Sequence, residues 1–376
     1  MKIKDFKIAK TFDRVFMKKN KIDSVLSYEN FKIAKKYFKS NNSEDIEIFK
    51  TIDASLKNNK FPFDITPQEE RFLKNHENEK WVDYLIYRYK MKVYPLINKT
   101  ANFPVYLCIE PVSSCNLRCV MCFQSDKSFT KKPFMGVMKL DLFKKVIDEA
   151  SAGGTKAITL ASRGEPTMNK NIAEMIEYTK GKFFDVKLNT NGTRLTEDLC
   201  HKIIQSGITE LVFSIDAENK DLYEKIRLRG KFDNVIENIK MFHRIRKEYP
   251  SSLITTTASG VFFHEEQNIE SFTKYFEEIV DNVAAVKIQN RWNTYANNLH
   301  PDLTSPCNYL WERMYVWFDG KCNPCDVDYK SMLQVGDITQ NSISEIWHGT
   351  TYKKIRADHI EKKRSIWNPC DRCGVG

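Results

Sequence analysis

The sequence predicts an α/β fold: a partial (β/α)6 TIM-like barrel over residues 101–300, a helical N-terminal extension over 1–100, and a small metal-stapled region over 301–376. Three observations carry this. Between residues 105 and 289, six short runs rich in β-branched and aromatic residues alternate with five helical stretches. That alternation marks βαβ units and a parallel sheet, which curls into part of a barrel. The first hundred residues carry mainly the helical period. Five of the ten cysteines follow residue 305, where apolar runs are few and turn signals many.

In the extension, Glu69 to Val93 reads as a helix with Trp81, Tyr84, Leu85 and Tyr89 on one stripe. The segment Phe6–Lys10 recurs as Phe31–Lys35, which we read as chance in a Lys/Ile/Phe-rich stretch. In the barrel, strands are expected at Val105–Glu110, Lys156–Ala161, Phe184–Asn189, Glu210–Asp216, Leu253–Phe263 and Val283–Gln289. The helices between them fall at Leu140–Ala150, Asn171–Thr179, Glu197–Gln205, Phe232–Lys247 and Ile269–Ile279. Ligands in such a fold gather at the C-terminal ends of the strands.

Hydrophobic residues make up 41% of the chain, enough for a packed core, which excludes global disorder. The net charge is +10, and the first sixty residues hold fifteen Lys/Arg against eight Asp/Glu. Those basic residues interleave with Phe and Ile at helical spacing, so they read as a solvated helical face rather than a nucleic-acid patch. No run approaches the roughly 18–20 apolar residues of a membrane span. Nothing apolar follows Met1–Phe6 to make a secretory signal, so a cytoplasmic location is expected. In a reducing compartment, ten cysteines point to metal rather than disulfides.

Cys115, Cys119 and Cys122 follow the first barrel strand with the spacing C-x3-C-x2-C. Three thiolates within eight residues suit a soft metal centre, whereas structural zinc and ordinary iron–sulfur sites want four protein ligands. A four-iron cluster held by three cysteines leaves one iron open to a small molecule. Cys108, on the preceding strand, reads as a buried core thiol.

This pattern resembles the radical S-adenosylmethionine (radical SAM) superfamily, over roughly residues 103–290. Met121 stands where that family often has an aromatic residue before the third cysteine. Arg163-Gly164-Glu165-Pro166 looks like the family's Gly-Gly-Glu-Pro motif, with arginine in place of the first glycine. Asn189 lies in a Leu-Asn-Thr-Asn-Gly segment closing the third strand, and Ser214 and Asp216 end the fourth on one face. The resemblance implies a 4Fe-4S cluster on Cys115, Cys119 and Cys122. It assigns Met121, Gly164, Glu165, Pro166, Asn189, Ser214 and Arg227 to S-adenosyl-L-methionine. Glu165 would receive the ammonium, Ser214 the ribose and Arg227 the carboxylate. Asp216 and Arg163 are the expected substrate-side, catalytic residues, with capping of the next helix as the other reading of Asp216. His264, Arg291 and Asn293 are further polar residues expected at the barrel mouth.

The C-terminal region holds Cys322-Asn-Pro-Cys325 and Cys370-Asp-Arg-Cys373, which could also be written as a zinc ribbon. It resembles the SPASM/twitch extension of radical SAM enzymes through Cys307…Trp311-Glu312, Asp319-Gly320, Cys325, Asp328, Gly336-Asp337, Trp347 and Cys370…Cys373. That implies a second, auxiliary 4Fe-4S cluster on Cys307, Cys325, Cys370 and Cys373, with Cys322 spare. Together the resemblances imply reductive cleavage of S-adenosylmethionine to a 5′-deoxyadenosyl radical, and hydrogen abstraction from a polar substrate. Oxidation or epimerisation of a sugar- or aminoglycoside-like compound is the leading expectation. A flavodoxin- or ferredoxin-type electron donor is implied as partner, and no nucleic acid. The alternatives are a peptide or protein maturase and, from another class, a zinc-containing nucleic-acid-binding protein.

Overall fold

The computed structural model describes residues 15–16, 25–287, 293–299 and 303–373. The expected repeat partner at Phe6–Lys10, the end of the sixth strand at Gln289, and Arg291 lie outside the described residues.

A two-residue strand, β1 (Val15–Phe16), is followed by four helices: α1 (Tyr28–Ala34), α2 (Ser43–Lys57), α3 (Pro67–Asn75) and α4 (Trp81–Val93). The helix expected over Glu69–Val93 is broken. His76 is extended (φ −128°, ψ 149°) and a 3-10 turn at Asn78–Lys80 restarts the chain into α4. Trp81, Tyr84 and Leu85 then pack inward as the stripe requires.

The barrel strands follow as β2 (Tyr106–Ile109), β4 (Ala157–Leu160), β5 (Asp185–Thr190), β6 (Glu210–Ser214), β8 (Thr255–Phe262) and β9 (Asn282–Lys287). Each adjacent pair in that order is parallel. Between them run α5 (Leu140–Gly153), α6 (Ile172–Tyr178), α7 (Glu197–Gln205), α8 (Lys220–Ile226), α9 (Phe232–Arg246) and α10 (Ile269–Phe276). Helix α9 shows why the sequence folds this way. Phe232, Val235, Ile236, Ile239, Phe242 and Ile245 recur at three- and four-residue steps, and all are buried. Along the strands, Leu107, Ile109, Ile158, Leu160, Val186, Leu188, Leu211 and Phe213 meet those helices in one core. The alternate residues face the barrel interior. Two short strands, β3 (Arg118–Cys119) and β7 (Arg227–Leu228), form a separate antiparallel ribbon.

The chain ends in α11 (Tyr309–Glu312), β10 (Arg313–Val316), β11 (Lys321–Asn323), β12 (Gly336–Asp337), α12 (Ile343–Trp347) and α13 (Thr350–Ile360). The βα alternation stops at β9, but the sheet does not. Strand β10 pairs in parallel with β2, Arg313 opposite Tyr106 and Val316 opposite Ile109. The sheet order is β1-β9-β8-β6-β5-β4-β2-β10-β11-β12. The sequence shows few apolar runs in the tail and leads to the expectation of a metal staple there. Trp311, Trp317, Trp347, Tyr329 and Tyr352 are fully buried there. A few large rings supply the apolar area that longer runs supply elsewhere.

The N-terminal helices close the end of the barrel opposite the cysteine loops. Tyr87 Oη and Gln68 Nε2 donate to Asp185 Oδ2 at 2.7 and 3.2 Å, and Arg71 Nη2 to Asn282 Oδ1 at 3.1 Å. Both acceptors sit at strand starts. Among the described residues no helix is long and apolar enough to cross a membrane.

Candidate functional site: two cysteine groups at the barrel mouth

The loop after β2 carries Cys115, Cys119 and Cys122. It is held from several sides. Val112 bridges to Val137, Ser113 N donates to Gly136 O at 3.0 Å, and Glu165 N donates to Ser114 O at 3.0 Å. Gly164 lies so close to this loop that a Cβ there would stand 2.2 Å from Val112 O and 2.4 Å from Ser114 O. Only glycine allows that approach. Cys115 Sγ accepts from Leu117 N at 3.4 Å, and Cys122 Sγ from Gln124 N at 3.5 Å. Burial pushes the Cys115 thiol up to about 11 and Cys122 up to about 12. Metal-free, these groups are neutral thiols, so a metal must displace their protons.

Glu165 is buried and fully engaged. Its Oε1 accepts from Thr167 Oγ1 and Thr190 Oγ1, both at 2.7 Å, and its Oε2 from Asn191 N at 2.7 Å. Asn191 Nδ2 in turn donates to Asn116 Oδ1 at 2.9 Å, beside Cys115. The glutamate therefore ties the ends of β4 and β5 to the cysteine loop. Pro166 opens a 3-10 turn behind it. Met121 is half-buried and packs on the main core.

Arg227 faces Cys119 across the β3–β7 ribbon. Its Nη2 pairs with Asp216 Oδ2 at 2.7 Å, and its Nε donates to Ile215 O at 2.9 Å. Asp216 is fully buried, with Oδ1 accepting from Val261 N at 2.8 Å. Burial raises its carboxyl, and Arg227 acts against that. The expectation of a substrate-facing Asp216 is thus corrected: it orients Arg227. Asp216 also holds φ +74°, an uncommon backbone for a non-glycine residue.

Arg163 requires the same correction. Its side chain is 2% exposed and forks onto Glu110, with Nη2 to Oε1 at 2.8 Å and Nε to Oε2 at 2.5 Å. Its Nη1 donates to Tyr329 O at 2.9 Å, and its guanidinium lies 4.2 Å from the Trp317 ring centre. No face of it is left for a substrate.

Near the strand ends, Ser162 Oγ after β4 and Asn189 Oδ1 on β5 are buried polar atoms with no hydrogen-bond partner among the described residues. Buried polar atoms are seldom left unpaired, so these fit a polar ligand at the mouth. Ser214 ends β6 half-buried. His264 donates its backbone N–H to Gln267 Oε1 at 2.8 Å, and its ring accepts from Glu266 N at 3.2 Å, a local turn. Asn293 has a left-handed backbone (φ 52°) opening a short turn.

The second cysteine group assembles from three segments. Cys307 precedes α11, Cys325 follows β11, and Cys370 and Cys373 flank a 3-10 turn near the end of the chain. Cys325 lies near enough to Cys370 and Cys373, and Cys307 to Cys373, for their charges to interact. Cys322 instead sits beside Asp337 and Asp319 in the main core, fully buried, with Sγ 3.6 Å from Gly320 O. Among the described residues no three His, Cys, Asp or Glu side chains converge tightly enough for a single metal ion. Two groups of soft donors, three and four cysteines strong, fit iron–sulfur clusters. Sequence reasoning missed Glu110, Asp126 and Tyr329, which lie in no motif. Their role becomes visible only once the two loops meet. A cavity of about 860 Å³ lies at the other end of the barrel, between α3 and the starts of β5, β6 and β9. It is remote from both cysteine groups.

Residues 109–283 match the radical SAM superfamily, and residues 307–374 match the SPASM iron–sulfur cluster-binding domain. The chain is 30% identical over 171 residues to a GTP 3′,8-cyclase of Desulforamulus reducens, 45% of this chain and 51% of that protein. It therefore spans about half the length of that curated relative. Among solved structures, SuiB of Streptococcus suis bound to precursor peptide SuiA aligns over 92% of this chain and 83% of its own (TM-score 0.57, 15% identity). BtrN in complex with AdoMet and 2-DOIA aligns over 72% and 92% (TM-score 0.50, 19% identity). At such identities these two show the fold alone. The two matched regions hold the two cysteine groups in order: residues 109–283 form a radical SAM domain carrying Cys115, Cys119 and Cys122, and residues 307–374 a SPASM iron–sulfur cluster-binding domain carrying Cys307, Cys325, Cys370 and Cys373.

Proposed function

We propose that this enzyme oxidises a polar, sugar-like substrate at an unactivated C–H bond. When bound, its cofactors supply a 5′-deoxyadenosyl radical to take the hydrogen atom and a second cluster to accept the electron left once a proton departs. Cys115, Cys119 and Cys122 would hold the first cluster, and Cys307, Cys325, Cys370 and Cys373 the second. Glu165 braces the strand ends around the cofactor, and Arg227, aimed by Asp216, offers a cation beside Cys119. Ser162 Oγ and Asn189 Oδ1 offer hydrogen bonds to a polar ligand. The barrel wall excludes solvent. A flavodoxin- or ferredoxin-type donor belongs to this reading.

The observation that carries an oxidation is the direct packing of the two cluster loops. Phe123, next to Cys122, stacks on Tyr329, four residues after Cys325, at 4.9 Å and 18°. An electron acceptor held there is near the radical site. A peptide substrate is the second reading, supported by the fold shared with a protein described as bound to a precursor peptide.

The test is deuterium transfer. Candidate aminoglycosides and sugars, deuterated at carbon, are incubated anaerobically with enzyme, reductant and S-adenosylmethionine. Deuterium should appear in 5′-deoxyadenosine from one of them, together with a product two electrons more oxidised. Deuterium transfer from none of these sugars and aminoglycosides, with transfer from deuterated peptides incubated in parallel, would overturn the sugar reading.

A further inference from the structure

Two loops, one from each domain, meet through charged groups that the reaction scheme above does not use. We propose that Asp126, Arg163, Tyr329 and Lys330 form a clamp that fixes the Cys122 loop against the Cys325 loop, and so sets the separation and orientation of the two cluster sites. The geometric claim stands by itself. Its consequence for turnover rests on the oxidation proposed above.

The first arm is Arg163. Glu110, five residues before Cys115, receives its fork, and the carbonyl of Tyr329 receives its remaining Nη1 at 2.9 Å. Trp317 lies under the guanidinium, and its Nε1 donates to Ser331 Oγ at 2.8 Å, in the same loop as Tyr329. Gln124 Nε2 links the carbonyls of Ser113 and Arg163 at 2.6 and 2.5 Å, which joins this arm to the Cys122 loop.

The second arm is Asp126, four residues after Cys122. Its Oδ2 accepts from Tyr329 Oη at 3.0 Å and pairs with Lys330 Nζ at 2.7 Å. Lys330 Nζ also donates to Ser128 Oγ at 2.8 Å. Tyr329 is thus held at its carbonyl, its hydroxyl and its ring. Behind it, Tyr295 Oη donates to Asp328 Oδ1 at 2.7 Å and accepts from Lys330 N at 2.7 Å. Asp328 Oδ2 accepts from Leu333 N at 2.7 Å, which secures the far side of the loop.

Adhesion alone does not require this chemistry. Burying an arginine–glutamate pair carries a desolvation cost that an apolar pair of equal volume avoids. Forked and bridged charges differ from apolar contacts in direction: they fix one register and one angle. The contacts also cross long stretches of chain, from Asp126 to Tyr329 and from Arg163 to Tyr329, so no local turn explains them. Asp126 fits the same picture. Burial opposes its ionisation, yet the hydrogen bonds from Lys330, Ser128 and Tyr329 outweigh burial and hold the carboxyl well below the usual range.

The experiment uses the full chain reconstituted anaerobically with iron and sulfide, then reduced with dithionite. Magnetic interaction between the clusters is read by electron paramagnetic resonance, as line broadening and relaxation enhancement. Wild type should show one well-defined interaction. The double variant Asp126→Asn/Lys330→Met should load the same iron yet show a weakened or broadly distributed interaction, and Lys330→Arg should keep the wild-type spectrum. Formation of 5′-deoxyadenosine without substrate should stay within about twofold, while product per deoxyadenosine falls about tenfold, the scale of a small misplacement. If the double variant loads less iron, Tyr329→Phe, which removes one hydroxyl, replaces it, with the same shift expected in smaller degree. An unchanged spectrum in an iron-replete variant overturns the clamp. A changed spectrum in an enzyme that oxidises no sugar supports the clamp and overturns only the substrate reading.

Discussion

Cys322 and Cys325 are separated by two residues and have opposite surroundings. Cys325 belongs with Cys370 and Cys373, while Cys322 points into the apolar core beside Val335 and Ile338. The end of the strand separates them: Cys322 lies within β11, and Cys325 lies beyond it. Cys325→Ala should lower iron from about eight to about four atoms per chain, the content of one cluster. Cys322→Ala should keep full iron and lose about 1–2 kcal/mol of stability, as for a small buried group. Iron assay and thermal melting check both; iron loss from Cys322→Ala would reverse the assignment. The cysteines were legible in the sequence because metal ligands come in tight spacings. Arg163 and Asp216 were misread as substrate-facing. Their partners, Glu110 and Arg227, lie 53 residues away and at the next ribbon respectively, and no local pattern signals an ion pair of that kind.

Helices α3 and α4 illustrate the scale of elements. The break between them replaces one long helix by two that cross-brace. Glu69 on α3 pairs with Arg88 Nε at 2.5 Å and with Lys92 Nζ at 3.0 Å, both on or near α4. Burial would raise the Glu69 carboxyl, and the two cations outweigh it and bring it down to about 2. A carboxyl whose folded value is depressed stabilises the fold above its ordinary value of 4.5, and that contribution is lost as pH falls from 4.5 toward 2. Glu69→Gln should therefore cost about 3 kcal/mol at neutral pH. The gap to wild type should narrow between about pH 4.5 and 2. Denaturant unfolding at several pH values measures this, and a gap constant across that window would contradict it. Within the described residues, the six barrel strands were legible to within one or two residues, because strand runs and amphipathic helices have different periods. Strands β3, β7 and β12 were not, since two residues carry no period.

At the scale of the whole molecule, one sheet joins all three stretches of sequence. The tail contributes β10 beside β2, the extension contributes β1 beside β9, and helices α3 and α4 close the barrel at the strand starts. Parallel pairing of β10 on β2 brings the second cysteine group to the same end of the barrel as the first. That joint was not legible, because Arg313-Met-Tyr-Val reads as an isolated run with a charged start. Arg313 is nonetheless fully buried, paired with Glu312 and stacked 4.0 Å from the Tyr309 ring centre. Residue patterns reveal what each segment prefers alone; they do not reveal which strand will take the open edge of a barrel.

The most direct measurement is 5′-deoxyadenosine formation by the anaerobically reconstituted protein with dithionite and S-adenosylmethionine. Wild type should form it, Cys119→Ala should form none above background, and Cys370→Ala should retain part while yielding no oxidised product. Deoxyadenosine at the wild-type rate from Cys119→Ala, or a wild-type protein that binds zinc and no iron, would contradict the account.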